Sequence, residues 1–179
     1  FNIGLFYIPL FIVVLIYTAF SANQTDGLDG LAGGVFATSF AAYSLIALVE
    51  GNVQLAIFCG TILGALLAFL WFNIYPARFF MGDTGVMALG MTLGVVAFLT
   101  NTVIILPLIC FVFYAEGITT IIQIVSKKLR NGKKVFLSAP IHHHFEALGW
   151  PETKVTMRFW VISWIFAVVG LAMALLGRG

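Results

Sequence analysis

Hydrophobic residues run in long blocks along this chain, separated by short polar clusters. Six windows, residues 5–22, 31–49, 53–72, 86–99, 102–125 and 157–176, approach the roughly 20 apolar residues that an α-helix needs to cross a bilayer. The fourth reaches that length only when residues 83–101 are counted together. Gly90 and Gly94, like Gly60 and Gly64 in the third window, have the small-xxx-small spacing that lets helices approach closely, so they are expected to pack. Pro107 and Gly117 are expected to bend or break the fifth window, which is tolerated where protein or a cavity satisfies the freed backbone groups. The pattern predicts an all-α, polytopic integral membrane helical bundle: one transmembrane domain over residues 1–179 with about six transmembrane helices.

Six crossings place the segments 23–30, 73–85 and 126–156 on one side of the membrane, and 50–52 and 100–101 on the other. Eight of the nine Lys and Arg residues lie in or beside the first group: Arg78, Lys127, Lys128, Arg130, Lys133, Lys134, Lys154 and Arg158. Only Arg178 does not. By the positive-inside rule the first group is expected to be cytoplasmic. Composition agrees with a membrane protein, since 61% of residues are hydrophobic, 9% are charged and the mean hydropathy is +1.08. A net charge of +2, with no basic run interleaved with aromatics, gives no case for nucleic acid. Cys59 and Cys110 sit inside apolar windows without metal or redox spacing, so they read as packing residues. The chain opens on Phe1, with no methionine or basic stretch before the first apolar window, and is expected to be a fragment.

Chemistry concentrates in the three long segments. Phe79-Phe80-Met81-Gly82-Asp83-Thr84-Gly85 holds the only acid between Glu50 and Glu116. An aspartate at mid-membrane costs about 2.5–3.5 kcal/mol, so Asp83 should lie at a helix end, in water or beside a cation. Asp83 or Thr84 could also cap the following helix. Residues 23–34 carry Asn23, Asp26, Asp29 and four glycines, and either a helix cap or a polar ligand pocket accounts for them. Asn73, Tyr75, Arg78 and Phe80 suit a planar base held by stacking and hydrogen bonds, although an interfacial aromatic belt explains Trp71, Phe72 and Tyr75 equally well. In the third segment, consecutive His142, His143 and His144 point in different directions and lack zinc spacing, so hydrogen bonding to phosphate or within the loop is favoured. The five basic residues from Lys127 to Lys134 are either the topology signal or a contact with anionic lipid head groups. Glu116 and Gln123, seven apart, share a helical face; Glu116 is either functional or a partner for unwound backbone beside Gly117.

Three stretches carry a family resemblance: residues 23–32 (Asn-Gln-Thr-Asp-Gly-Leu-Asp-Gly-Leu-Ala), 80–85 (Phe-Met-Gly-Asp-Thr-Gly) and 139–146 (Ala-Pro-Ile-His-His-His-Phe-Glu). Together they resemble the polyprenyl-phosphate N-acetylhexosamine-1-phosphate transferases. The Pro-Ile-His-His-His run followed by Gly149-Trp150-Pro151-Glu152 is similar to the branch that transfers phospho-MurNAc-pentapeptide. The resemblance implies a bacterial inner-membrane protein of about ten helices, often a homodimer, of which these are the last six. It implies transfer of phospho-MurNAc-pentapeptide from UDP-MurNAc-pentapeptide to undecaprenyl phosphate, releasing UMP and forming lipid I in peptidoglycan synthesis on the cytoplasmic face. Asp83 is then the Mg2+ ligand. Catalytic roles fall to Asp83, Asp26, His142, His143 and His144, and substrate contacts to Asn23, Asp26, Asp29, Asn73, Phe80, Gly82, Gln123 and Ala139. The family's adjacent aspartate pair is not in this sequence, so these residues alone are expected to be inactive. Two other functions fit the residues: a related transferase of GlcNAc-1-phosphate, and a transporter using Glu116 as its coupling group.

Overall fold

The computed structural model describes residues 4–177, and Arg178 lies outside the described residues. After a 3-10 turn at Gly4–Phe6 come α1 (Tyr7–Thr25), α2 (Leu31–Val49), α3 (Val53–Asn73), α4 (Gly82–Leu99), α5 (Leu106–Ile109), α6 (Phe111–Leu129), α7 (Ile141–Ala147) and α8 (Glu152–Leu176). The described residues contain helices and turns and no strand. Five segments are long and apolar enough to cross a membrane: α1 with its leading turn, α2, α3, α4 and α8.

The fifth window departs from a single span. It breaks at Cys110, between α5 and α6, and not at either expected residue. Pro107 stands in the first turn of α5, where its missing N–H costs nothing, so the chain stays helical through it. Gly117 passes inside α6 and serves packing instead, because a Cβ there would overlap Ser21 Oγ on α1. On α6 the buried residues Glu116, Thr120, Gln123 and Ser126 form one polar stripe, while Ile118, Ile121, Ile122 and Ile124 are exposed. In lipid this inversion keeps polar groups against protein and leaves the apolar face to the bilayer.

The middle of the bundle is α2, with Val35, Phe36, Phe40, Tyr43 and Ile46 fully buried. It packs on α3 and α8 at once because adjacent glycines face them: a Cβ at Gly33 would meet Leu70, and one at Gly34 would overlap the Trp160 indole. Helix association in a bilayer rests on such close contact, since lipid is as apolar as leucine. Gly90 does the same for α1 and α4, its would-be Cβ lying 2.9 Å from Ala19 Cα; Gly94 meets Leu15. In the third window only one of the pair packs: Gly60 makes an ordinary contact with Ser44 of α2, and nothing lies near Gly64.

Both turns at one end of the bundle are tight. Gly51 and Asn101 adopt positive φ, and the following Asn52 and Thr102 N–H groups donate to Ala47 O and Ala97 O, closing α2 and α4. The opposite end carries the three long segments.

Candidate active site

The loop between α1 and α2 is the hub of that end. Its capping role is not the one expected. Residue 26 closes α1, with the Asp26 N–H donating to Asn23 O, and α2 starts at Gly30 with no side-chain cap. The Asp29 carboxylate accepts from the Ala77 N–H at 2.8 Å, which ties the loop to the segment after α3. Asn73, buried at the end of α3, completes that tie: its Oδ1 accepts from the Gly30 N–H at 3.1 Å and its amide donates to Phe79 O at 3.0 Å. The third segment joins through α8. Glu152 Oε1 accepts the Asp29 N–H at 2.6 Å, Thr156 Oγ1 donates to Asp29 O, and Trp160 Nε1 donates to Gly30 O at 3.1 Å. Asp29 and Asn73 therefore shape the site by holding backbone.

Asp83 occupies the first turn of α4 and does not cap it. Gly82 before it has φ +72°, a left-handed conformation that glycine adopts at little cost, and this turns Asp83 toward α1. There Asn23 Nδ2 donates to Asp83 Oδ1 at 3.1 Å, while Oδ2 has no partner among the described residues. Asp26 lies close enough that burial, first, and the Asp83 charge, second, raise its carboxyl above its ordinary value. Neither aspartate has a basic partner among the described residues. A pair of carboxylates without a counter-charge suits a hard cation that takes one or two protein oxygens and keeps other positions for water or phosphate. No group of three or more His, Cys, Asp or Glu residues placed to hold a metal occurs among the described residues, so the pair and Asn23 are what the chain offers.

The histidines separate into three environments. His142, at the start of α7, is fully buried and its Nδ1 lies 3.1 Å from Glu116 Oε2, off the line of an ideal hydrogen bond; its backbone N–H donates to the same oxygen at 3.5 Å. Its Nε2 faces Gly27, where a Cβ would overlap it. His143 Nδ1 meets Glu146 Oε2 at 2.6 Å nearer the surface, and His144 Nδ1 accepts the Leu137 N–H at 3.1 Å. The His142 ring therefore abuts the backbone of the loop that carries Asp26.

Other expected site residues are placed differently. Gln123 holds the approach to α7: its Oε1 accepts from the Val135 and Phe136 N–H groups and its Nε2 donates to Phe136 O at 2.8 Å. Phe80 is 68% exposed, whereas Phe79 packs on Phe69 and Phe72. Ala139 is half-buried on the chain entering α7. The structure thus brings Asn23 and Asp26 to Asp83 and sets His142 against Gly27 of the same loop, while Asp29, Asn73 and Gln123 bind backbone. Gly27, Glu152 and Trp160 had no role assigned from sequence. The doubled glycine in Asp26-Gly27-Leu28-Asp29-Gly30 was the one signal for the first of them.

Comparison with known proteins shows the family. The family model for glycosyl transferase family 4 matches residues 1–101. A phospho-N-acetylmuramoyl-pentapeptide-transferase of Thermodesulfovibrio yellowstonii is 42% identical over 95% of this chain and 51% of its own length. Proteins of the same name from Leptospira biflexa (45% identical, 96% of this chain, 50% of the relative) and Geobacillus sp. (45%, 95% and 52%) are similar to it as well. The chain spans about half the length of the curated relatives it matches. With its family model matched over more than half of its residues, this multi-pass helical chain belongs to glycosyl transferase family 4.

Proposed function

We propose that the protein to which these residues belong transfers phospho-MurNAc-pentapeptide from UDP-MurNAc-pentapeptide to undecaprenyl phosphate, releasing UMP and forming lipid I. The same reading puts it in the bacterial inner membrane as a homodimer, with its site on the cytoplasmic face. One observation carries it: Asn23, Asp26, Asp83 and His142, from three segments far apart in sequence, meet at one end of a membrane bundle. The names of the relatives supply the substrate class.

Phosphoryl transfer leaves the protein little covalent work, so the chain must position groups and balance charge. Mg2+, when bound by Asp83 with Asp26 nearby, would supply positive charge to the diphosphate oxygens. Asn23 orients the Asp83 carboxylate by holding one oxygen, which leaves the other to the cation. The exposed Phe80 ring offers a face for the uracil base. Lying where helix ends meet the membrane surface, the cluster is open to a nucleotide from water and to a prenyl phosphate from the bilayer. The tight turns at the other end of the bundle, residues 50–52 and 100–101, leave no polar site there among the described residues, which favours this reading over transport coupled through Glu116.

The test is lipid-linked product formation by the full-length protein in membranes, with UDP-MurNAc-pentapeptide and a polyprenyl phosphate. Asp83→Asn is expected to lower turnover at least about 100-fold, as loss of an electrostatic anchor of the transition state does. Near-normal turnover removes Asp83 as the anchor. Product from UDP-GlcNAc but not from the MurNAc donor would move the protein to the sister activity.

A further inference from the structure

Glu116 and His142 are both fully buried, 26 residues apart, on α6 and α7. The contact is two-point, because Oε2 faces both Nδ1 and the backbone N–H of His142. A carboxylate oxygen 3.1 Å from a ring nitrogen calls for a proton on that nitrogen, since two lone pairs would repel there. Nδ1 has only that off-line contact with Glu116, and the other nitrogen, Nε2, is equally buried, makes no hydrogen bond among the described residues and points to Gly27, next to Asp26. Buried polar atoms are rarely left unpaired unless a ligand or water completes them. Two separate features bring the ring here. Gly117 lets α6 lie against Ser21 of α1, which sets the depth of Glu116, and Gly27 leaves room for the imidazole edge.

We propose that Glu116 is a positioning residue: it holds His142 with the proton on Nδ1, so that Nε2 is presented at Gly27 as the acceptor-bearing edge of the aspartate cluster. Glu116 touches neither substrate nor reacting atoms and acts only through His142. Such outer partners of a functional histidine set its tautomer and ring angle, and their loss commonly costs about 10–100-fold in function. The inference rests on the transferase reading above for its kinetic arm and is independent of it for its spectroscopic arm.

Full-length protein carrying Glu116→Leu, Glu116→Gln, Gly27→Ala, His142→Gln and the Glu116→Leu/His142→Gln pair provides the test. Leucine keeps the volume and removes the acceptor, and is expected to lower kcat about 100-fold; glutamine keeps an acceptor and should lose about tenfold, with donor KM within about threefold in both. Gly27→Ala is expected to follow the same kcat pattern by displacing the ring. In the double variant the loss should stay within about twofold of that in His142→Gln alone, because the two side chains act as one unit. Losses that multiply, or a Glu116→Leu variant as active as wild type, would overturn the proposal. If Glu116→Leu does not fold, the Glu116→Gln/His142→Gln cycle decides in its place. Imidazole 15N spectra, with His142 assigned by its disappearance in His142→Gln, should show the proton on Nδ1. A proton on Nε2 overturns the proposal whether or not the protein uses the MurNAc donor, whereas an inactive wild type with the expected spectrum removes only the transferase reading.

Discussion

At the scale of single residues, Asp26 shows how the site is set against the stability of the molecule around it. Burial and the neighbouring Asp83 charge both disfavour its ionised form, so the folded protein holds the Asp26 proton more tightly than the unfolded chain does. The folded state gains from this below the ordinary aspartate value of 3.8 and loses the gain as pH rises through the higher folded value. Asp26→Asn is therefore expected to raise the melting temperature of the metal-free full-length protein at pH 7, by about 2 °C. Near pH 4 the difference should shrink, and added Mg2+ should narrow it at pH 7 by offsetting the charge in the wild type. Thermal melts at the two pH values check the sign. Little of this division of labour was legible in the sequence. Asp26, Asp29 and Asp83 look alike as acids in glycine-rich loops, yet Asp29 spends its carboxylate on the Ala77 N–H and only the other two face one another. Partners 48 or 123 residues away decide between those fates, and no local pattern reports them.

The helices themselves were far more legible. Apolar windows of span length placed α1, α2, α3 and α8 to within a few residues, because a bilayer demands a continuous run and a polar loop ends it. The fifth window resisted because Pro107 tolerates the first turn of a helix and because the polar stripe of α6 is visible only once its buried side is known. The start of α4 gives an element-scale prediction. Gly82 has φ +72° with nothing near its would-be Cβ, so alanine there meets backbone strain alone and should cost about 1 kcal/mol while turning Asp83 away from Asn23. Gly85→Ala meets no positive φ but would press on Met81 Cγ at 2.8 Å, so it should cost only the shift of that side chain and leave Asp83 in place. Melting temperature and turnover measured on both variants should rank Gly82→Ala as the more damaged; the reverse order would mean that α4 does not begin as described.

For the molecule as a whole, the question is sidedness. Arg78, the basic residues from Lys127 to Lys134, Lys154 and Arg158 gather at the end that holds the aspartate cluster, and Glu50 and Asn101 mark the other. Cysteine replacements at Arg78, Lys133 and Glu50, in a protein whose native Cys59 and Cys110 are buried and free, should therefore divide two against one toward a membrane-impermeant thiol reagent. Intact cells should label the Glu50 position, and inverted vesicles the other two. Labelling of Arg78 and Lys133 positions from opposite sides would leave no common site for the two segments.

The clasp formed by Glu152, Thr156 and Trp160 around Asp29 and Gly30 has a consequence for biogenesis. A ribosome delivers α1 and the aspartate loop after it well before α8, the helix that carries the residues fixing that loop. Asn23, Asp26, Asp83 and His142 are thus translated before that loop has its final shape. A chain stopped at Gly149 would hold the three histidines and three aspartates of this sequence, yet the loop after α1 would lack its anchor until α8 has entered the bilayer.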